Sequence, residues 1–133
     1  MANKWEATDF KNPLARARGV GAAHSGVHHW LHQKVTALAN IPLVLWGIWS
    51  VTTLAATGAT RDVVWAFFRE PMHAVLMVLF LISTMYHMAL GLQVVIEDYV
   101  HCEKVKMMSL ILMRLTIFAL AIASILSVLK LAF

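Results

Sequence analysis

Residues 72–96 read MHAVLMVLFLISTMYHMALGLQVVI, a stretch without lysine, arginine, aspartate or glutamate. A helix needs about 20 mainly apolar residues to cross a bilayer, and two more apolar blocks of similar length occupy residues 35–56 and 107–131. No block alternates apolar with polar residues as a strand does, and backbone polar groups must be satisfied internally in lipid. The sequence therefore predicts an all-α integral membrane protein whose anchor domain, residues 35–133, has three transmembrane helices.

The composition excludes most other classes of protein. Hydrophobic residues make up 60% and charged residues 14% of the 133 residues, which is not the composition of a soluble domain. The net charge of +4 does not indicate nucleic-acid binding, because most lysines and arginines lie in the segments outside the apolar blocks. Cys102 is the only cysteine, so the chain cannot form a disulfide within itself or an iron–sulfur site. Three helices make a thin wall rather than an enclosed pocket, and we therefore expect partner subunits.

The distribution of basic residues predicts the orientation. Residues 1–34, interpreted as an inner-side arm, and the second loop carry more lysine and arginine than the first loop and the C-terminal end. The positive-inside rule then places the N-terminus inside and the C-terminus outside. Glu6 and Asp9 are unusual in an organelle transit peptide, so we expect a bacterial cytoplasmic membrane rather than the mitochondrial inner membrane. The inner-side basic residues in this count are Lys4, Lys11, Arg16, Arg18, Lys34, Lys104 and Lys106.

His87 lies deep in the second predicted span, where an ionisable group is costly and functional by default. Gly91 follows one helical turn later on the same face, and the missing side chain leaves room for a flat macrocycle held by the histidine. This pair suggests that His87 is an axial ligand of a haem iron. A b-type haem with two histidine ligands needs a second one, which must come from another subunit. The alternative is a neutral histidine that is hydrogen-bonded within the helix bundle, for example to Ser83.

Two other histidines flank His87 at intervals of fourteen residues, His73 and His101. Two histidines at that spacing can each serve one of two haems about 21 Å apart along a helix. A two-haem cytochrome is therefore an alternative. His73, however, lies at the outer boundary of the span and His101 lies beyond the inner one, so neither position needs a ligand role to explain it.

Asp98 and Tyr99 end the same span. Asp98 lies about 16 Å from His87 along a continuous helix and on nearly the same face. Reduction of a quinone develops negative charge on a carbonyl oxygen. A phenol can donate a hydrogen bond to that oxygen, and a carboxylate can orient the phenol or relay protons. The pair suggests a quinone site, whereas the plain alternative is a polar helix end with an interfacial tyrosine.

Several further residues carry weaker expectations. His28 and Lys34, before the first span, suit the propionates of a haem, or they are ordinary inner-side flanking residues. Asn40 is expected to find a partner across a helix interface. Arg114, about two turns inside the third span, is expected to snorkel to the interface. The apolar run at residues 63–68 is expected to lie along the membrane surface.

The pattern His-x3-Gly-x6-Asp-Tyr, which starts at His87 and has Val94-Val95 inside it, resembles the cytochrome b small anchor subunit of succinate dehydrogenase, respiratory complex II. The resemblance also covers residues 26–30 (GVHHW), residues 34–37 (KVTA) and the layout of three spans. It extends over most of residues 24–131 and is strongest at residues 87–99. The Asn-Gly-x-Arg-His run of the larger anchor subunit is absent from this sequence.

The resemblance implies specific roles. His87 falls on the axial ligand of haem b, with the second ligand in the larger cytochrome b anchor subunit. Tyr99 falls on the quinone-contacting tyrosine and Asp98 on its acidic neighbour. His28 matches a histidine near the haem propionates, and Lys34 stands where the family usually has arginine, which keeps the charge but loses the two-pronged donor. FAD and iron–sulfur clusters are implied for two partners, the flavoprotein subunit and the iron–sulfur subunit.

The function predicted from the sequence is thus a membrane anchor of a succinate:quinone oxidoreductase. The chain would supply one haem ligand and part of the quinone site, but no complete active site of its own. Two alternatives stay open. One is the anchor of a fumarate reductase or of a two-haem quinol-linked cytochrome b, and the other is a non-redox assembly or accessory protein of the membrane.

Overall fold

The computed structural model describes residues 24–133, and within them the regular structure is entirely helical. Four helices follow one another: α1 (His24–Ala56), α2 (Arg61–Arg69), α3 (Pro71–Tyr99) and α4 (Glu103–Ala132). The chain divides after Trp30 into two units, and the second, Leu31–Phe133, holds most of the described residues. The features discussed below belong to this second unit unless stated otherwise.

Three of the helices, α1, α3 and α4, are long and apolar enough to cross a membrane. The prediction of an all-α protein with three transmembrane helices is therefore confirmed. The helices extend beyond the predicted apolar blocks, since α1 begins at His24 and α3 begins at Pro71. Pro42 lies inside α1 and does not end it. Proline suits the first turn of α3, where its missing N–H has no helical partner to lose. The predicted inner-side arm lies outside the described residues as far as residue 23.

A tight turn separates α1 from the short helix α2. The N–H of Gly58 donates to the carbonyl of Ala55 at 3.1 Å, and the N–H of Ala59 donates to the carbonyl of Leu54 at 2.9 Å. These two bonds close the C-terminus of α1 in a Schellman arrangement, which needs a left-handed residue, and Gly58 has a φ of 87°. The run at residues 63–68 lies within α2, where Phe68 is buried.

Very little of the described chain is buried. The buried apolar side chains are Phe68, Ala74, Leu90, Ile117 and Val128, and the most buried polar residue is Ser50, whose hydroxyl donates to the Trp46 carbonyl at 2.8 Å. Only 6%, 6% and 11% of the most apolar windows of α1, α3 and α4 are buried inside the chain. Most of the apolar surface of the spans is therefore available for lipid or for other subunits.

Candidate functional site

Three side-chain hydrogen bonds join α1 to α3 within the second unit. His32 Nδ1 lies 2.8 Å from the Tyr86 hydroxyl, Thr36 Oγ1 lies 2.8 Å from His87 Nδ1, and the Ser83 hydroxyl donates to Asn40 Oδ1 at 2.6 Å. From the Thr36–His87 pair to the Asn40–Ser83 pair, the residue number rises by four on α1 and falls by four on α3. One helical turn separates the two pairs on each helix, and the opposite directions show that the two helices are antiparallel. Hydrogen bonds of this kind tie spanning helices together where lipid offers none.

The Thr36 hydroxyl determines which ring nitrogen of His87 is free. Its Oγ1 donates to the backbone carbonyl of His32 at 2.8 Å, with the carbonyl of Gln33 at 3.2 Å. A hydroxyl has a single proton, so Thr36 accepts from His87, and His87 Nδ1 carries its proton toward Thr36. This assignment leaves Nε2 of His87 with a lone pair. Within residues 24–133, no partner contacts Nε2.

The surroundings of His87 fit a haem. A metal-bound histidine usually donates its other ring N–H to a nearby oxygen, which fixes the tautomer and the plane of the ring, and Thr36 supplies that oxygen. The His87 side chain is half-buried. One turn along α3, a Cβ built on Gly91 would meet nothing within 4 Å, so the space beside that helix face is open. One available imidazole nitrogen next to an open helix face is what a planar ligand shared with another subunit requires.

Ser83 is not the partner of His87, which was one alternative from the sequence. The Ser83 hydroxyl donates to Asn40 instead, and this contact confirms that Asn40 finds a partner across a helix interface. His87 is bonded across the same interface but one turn away, through Thr36.

The Asn40–Ser83 bond gives a first prediction. Interhelical hydrogen bonds in membrane proteins contribute about 0.6 kcal/mol on average and about 1.7 kcal/mol at most. We expect Asn40→Ala and Ser83→Ala to show a coupling energy in that range in a double-mutant cycle, measured as the free energy of unfolding in mixed micelles. The control is Ser127→Ala, because the Ser127 hydroxyl donates to the Ala123 carbonyl of its own helix. A coupling of Asn40→Ala with Ser127→Ala as large as that with Ser83→Ala would contradict the assignment.

His73 has surroundings of a different kind. Its imidazole stacks on Phe67 at 3.9 Å between ring centroids, with an interplanar angle of 15°, and lies 6.1 Å from Trp46 and 5.9 Å from Trp49. Its Nδ1 is buried, with no hydrogen-bond partner among the described residues. His73 is thus packed among aromatic rings at the far end of α3 and lacks the acceptor that orients His87. These contacts favour His87 over His73 as a ligand.

Asp98 and Tyr99 lie at the opposite end of α3, beside the short connection to α4. Both side chains are exposed, Tyr99 to 77%. Within the described residues their side chains form no hydrogen bond to each other, and the backbone carbonyl of Tyr99 lies 3.1 Å from Nδ1 of His101. The structure therefore places a phenol and a carboxylate at one helix end, both open to a ligand or to another subunit.

A polar chain near this end links α3 to α4. Arg114 Nη2 donates to Gln93 Oε1 at 3.0 Å, and Gln93 Nε2 donates to Glu97 Oε1 at 2.7 Å. The Arg114 guanidinium is exposed, but it is bonded to a partner on α3 rather than reaching only toward the interface. The bonds hold α4 against the last turns of α3, which carry Asp98 and Tyr99.

The two remaining predicted residues, His28 and Lys34, lie in the N-terminal part of α1. The side chains of His28 and Lys34 are both exposed on α1. His28 belongs to the first unit and Lys34 to the second. Their suggested contact with haem propionates stays a prediction.

Sequence reasoning missed Thr36 and Gln93. Thr36 lies one helical turn before Asn40, which was expected to have a partner across a helix interface, and Gln93 lies one turn before Glu97. Gln93 carried a local signal, because a glutamine and a glutamate four residues apart on a helix bond readily. Thr36 carried none, since a threonine in an apolar span ordinarily bonds the carbonyl four residues back. Its link to His87 depends on the register between two helices.

Comparison with known proteins identifies the family of this chain. The model of the succinate dehydrogenase/fumarate reductase transmembrane subunit family matches residues 8–123. A succinate dehydrogenase hydrophobic membrane anchor subunit of Rickettsia bellii (strain RML369-C) is 34% identical over 107 residues, which covers 80% of this chain and 84% of that protein. Its counterpart in Rickettsia conorii (strain ATCC VR-613 / Malish 7) is 32% identical over 119 residues, 86% of this chain and 94% of that protein.

A more distant bacterium gives the same result. The succinate dehydrogenase hydrophobic membrane anchor subunit of Paracoccus denitrificans is 32% identical over 91 residues, 68% of each chain. No solved structure matches the chain. The family match covers most of the chain, and the relatives span most of its length. The chain therefore belongs to the family of succinate dehydrogenase and fumarate reductase transmembrane subunits.

Proposed function

We propose that this chain is the small membrane anchor of a succinate:quinone oxidoreductase, in which His87 is one axial ligand of haem b and Tyr99 lines the quinone-reduction site. The hydrogen bond from His87 Nδ1 to Thr36 supports the proposal, because it leaves Nε2 available as a ligand. The open helix face at Gly91, one turn away, gives further support. Haem b, when bound there, supplies a one-electron carrier. The second ligand comes from the larger anchor subunit.

The chain's own residues act at two positions along α3, its middle and its C-terminal end. In the middle, Thr36 orients the imidazole of His87, and Gly91 leaves the adjacent face clear. At the C-terminal end, Tyr99 donates a hydrogen bond to the quinone carbonyl oxygen as negative charge develops there, and Asp98 supplies a nearby carboxylate for proton transfer. The bonds among Arg114, Gln93 and Glu97 hold this end against α4.

The proposed membrane and partners follow from the family. The relatives in Rickettsia and Paracoccus are bacterial membrane anchors of succinate dehydrogenase, which supports the cytoplasmic membrane of a bacterium as the location of this chain, with Tyr99 on the inner side. Its partners are the larger anchor subunit, the iron–sulfur subunit and the flavoprotein subunit, which hold the second haem ligand, the clusters and the FAD. The chain contributes anchoring and part of two sites to this enzyme.

The test is a dithionite-reduced minus oxidised spectrum of the complex purified through this subunit, together with its succinate:quinone activity. We expect a b-type spectrum at one haem per complex and quinone-dependent turnover. A purified four-subunit complex that shows turnover but no b-type signal would remove the haem from the proposal. A purified chain without the other subunits of the enzyme would remove the anchor function itself.

Substitution of Thr36 tests the hydrogen bond between His87 and Thr36 directly. Loss of an outer-shell partner of a metal-bound histidine costs about 10- to 100-fold in metal affinity. We therefore expect Thr36→Val, which keeps the shape but not the hydroxyl, to weaken haem retention by that factor. Thr36→Ser keeps the hydroxyl and should retain haem nearly as the natural chain does. Haem release is measured as loss of the b-type absorbance during incubation with apomyoglobin. Equal release rates in the two variants would show that the Thr36 hydroxyl does not support the ligand.

A further inference from the structure

The short helix α2 carries a basic and aromatic face that the proposed function does not use. The guanidinium carbons of Arg61 and Arg69 lie 4.8 Å and 5.9 Å from the ring centroid of Trp65, one on each side of it in sequence. Arg69 suits the C-terminal end of the helix dipole, but Arg61 is the first residue of α2, where the dipole disfavours a cation. Helix electrostatics therefore do not explain Arg61.

Lys130 of α4 lines the same cavity as Arg61 and Trp65. Arg61 and Trp65 line a cavity of about 470 Å³ together with Ser127 and Lys130 of α4. No aspartate or glutamate lines it, and within residues 24–133 neither Arg61 nor Lys130 forms an ion pair. Two cations that converge on one cavity without a carboxylate have the charge that an anion complements.

An apolar groove lies at the same end of α4 as this cavity. The groove, of about 330 Å³, is formed between the start of α3 and the end of α4, with Val75, Val78 and Leu129 among its lining residues. Arg69 lies at the groove, and Lys130, which faces the cavity, follows Leu129 directly in the chain. A cationic cavity and an apolar groove at the same end of α4 match a molecule with an anionic head and a hydrocarbon tail.

The position along the spans identifies the class of that molecule. The cavity lies where α3 begins and α4 ends, at the level where arginine, lysine and tryptophan meet lipid headgroups. Trp65 is 38% exposed and thus accessible to a ligand at that level. We propose that Arg61, Trp65 and Lys130 bind the phosphate headgroup of an anionic phospholipid, and that an acyl chain of the same lipid occupies the groove between α3 and α4.

The test is lipid binding to the purified, delipidated complex in neutral detergent, followed by native mass spectrometry. Each basic side chain near an anionic headgroup contributes about fivefold to binding. We expect Arg61→Gln combined with Lys130→Gln to weaken retention of phosphatidylglycerol by about 30-fold. Phosphatidylcholine with the same acyl chains should be retained weakly by both forms. Unchanged phosphatidylglycerol retention in the double variant would overturn the proposal.

A matched control separates a built site from diffuse attraction. Asp62 lies beside Arg61 on α2 but does not line the cavity, and Asp62→Asn raises the net charge by one. If the site is specific, Asp62→Asn should leave phosphatidylglycerol retention unchanged. About fivefold stronger retention in Asp62→Asn, the factor expected for one added positive charge, would overturn the proposal. Inorganic phosphate serves as the competitor. Displacement of phosphatidylglycerol by an equal concentration of phosphate would show that the groove holds no acyl chain, and this result would also overturn the lipid assignment.

Discussion

Replacement of His87 by alanine should abolish the six-coordinate b-type spectrum of the assembled complex. Removing an outer-shell partner of a metal ligand typically lowers metal affinity by about 10- to 100-fold. We expect His87→Ala to lower the affinity for haem by more than that, because His87 is proposed to be the ligand itself. The geometry gives the reason. His87 Nδ1 is bonded to Thr36 at 2.8 Å, which leaves Nε2 available, and the helix face at Gly91, one turn further along, is open. The measurement is the reduced minus oxidised spectrum of complexes purified in equal amounts.

The matched control is a second histidine of the same helix. His73 lies fourteen residues before His87, stacks on Phe67 at 3.9 Å and has an Nδ1 without a hydrogen-bond partner in residues 24–133. We expect His73→Ala to keep the full b-type signal. Loss of half the signal in each variant would instead indicate two haems, the arrangement of a two-haem cytochrome. An unaltered spectrum in His87→Ala would remove His87 from the ligand set.

The fold was predictable from the sequence because hydrophobic length decides it. Residues 72–96 contain no Lys, Arg, Asp or Glu. Because they also lack the alternation of a barrel strand, a helix is the structure that satisfies their backbone in lipid. The start of α1 at His24 was harder to predict, since polar residues at the inner boundary are compatible with a helix or an irregular arm. The orientation predicted from basic residues stays a prediction.

The candidate site was predictable only where it lies within one helix. His87, Gly91 and Asp98 share a face because of helical periodicity, so their relation could be derived from their numbers alone. The contact of His87 with Thr36 depends on how α1 and α3 align, and neither helix specifies that alignment locally. The same limit applies to the bond of Arg114 to Gln93, which joins α4 to α3, whereas the expectation that Arg114 snorkels to the interface stays a prediction.

Tyr99→Phe is the second variant with a large expected effect, on quinone reduction. Removal of one donor aimed at developing negative charge lowers turnover by about 10²- to 10³-fold where the donor is preorganised. Tyr99 is 77% exposed on the isolated chain, and the larger anchor subunit would complete its pocket. We expect about 100-fold slower succinate:quinone turnover. Succinate oxidation with an artificial acceptor should remain near normal, because that reaction needs only the extramembrane subunits.

Tyr86 is a suitable control, because the chain has two tyrosines and Tyr86 is engaged elsewhere. Its hydroxyl lies 2.8 Å from Nδ1 of His32, on the face of α3 that meets α1. Tyr86→Phe therefore removes a phenol from the same helix without removing one from the helix end. If quinone turnover falls in Tyr99→Phe but not in Tyr86→Phe, the phenol at the end of α3 acts on the quinone. Equal decreases would point to altered helix packing, and unchanged turnover in Tyr99→Phe would remove Tyr99 from the site.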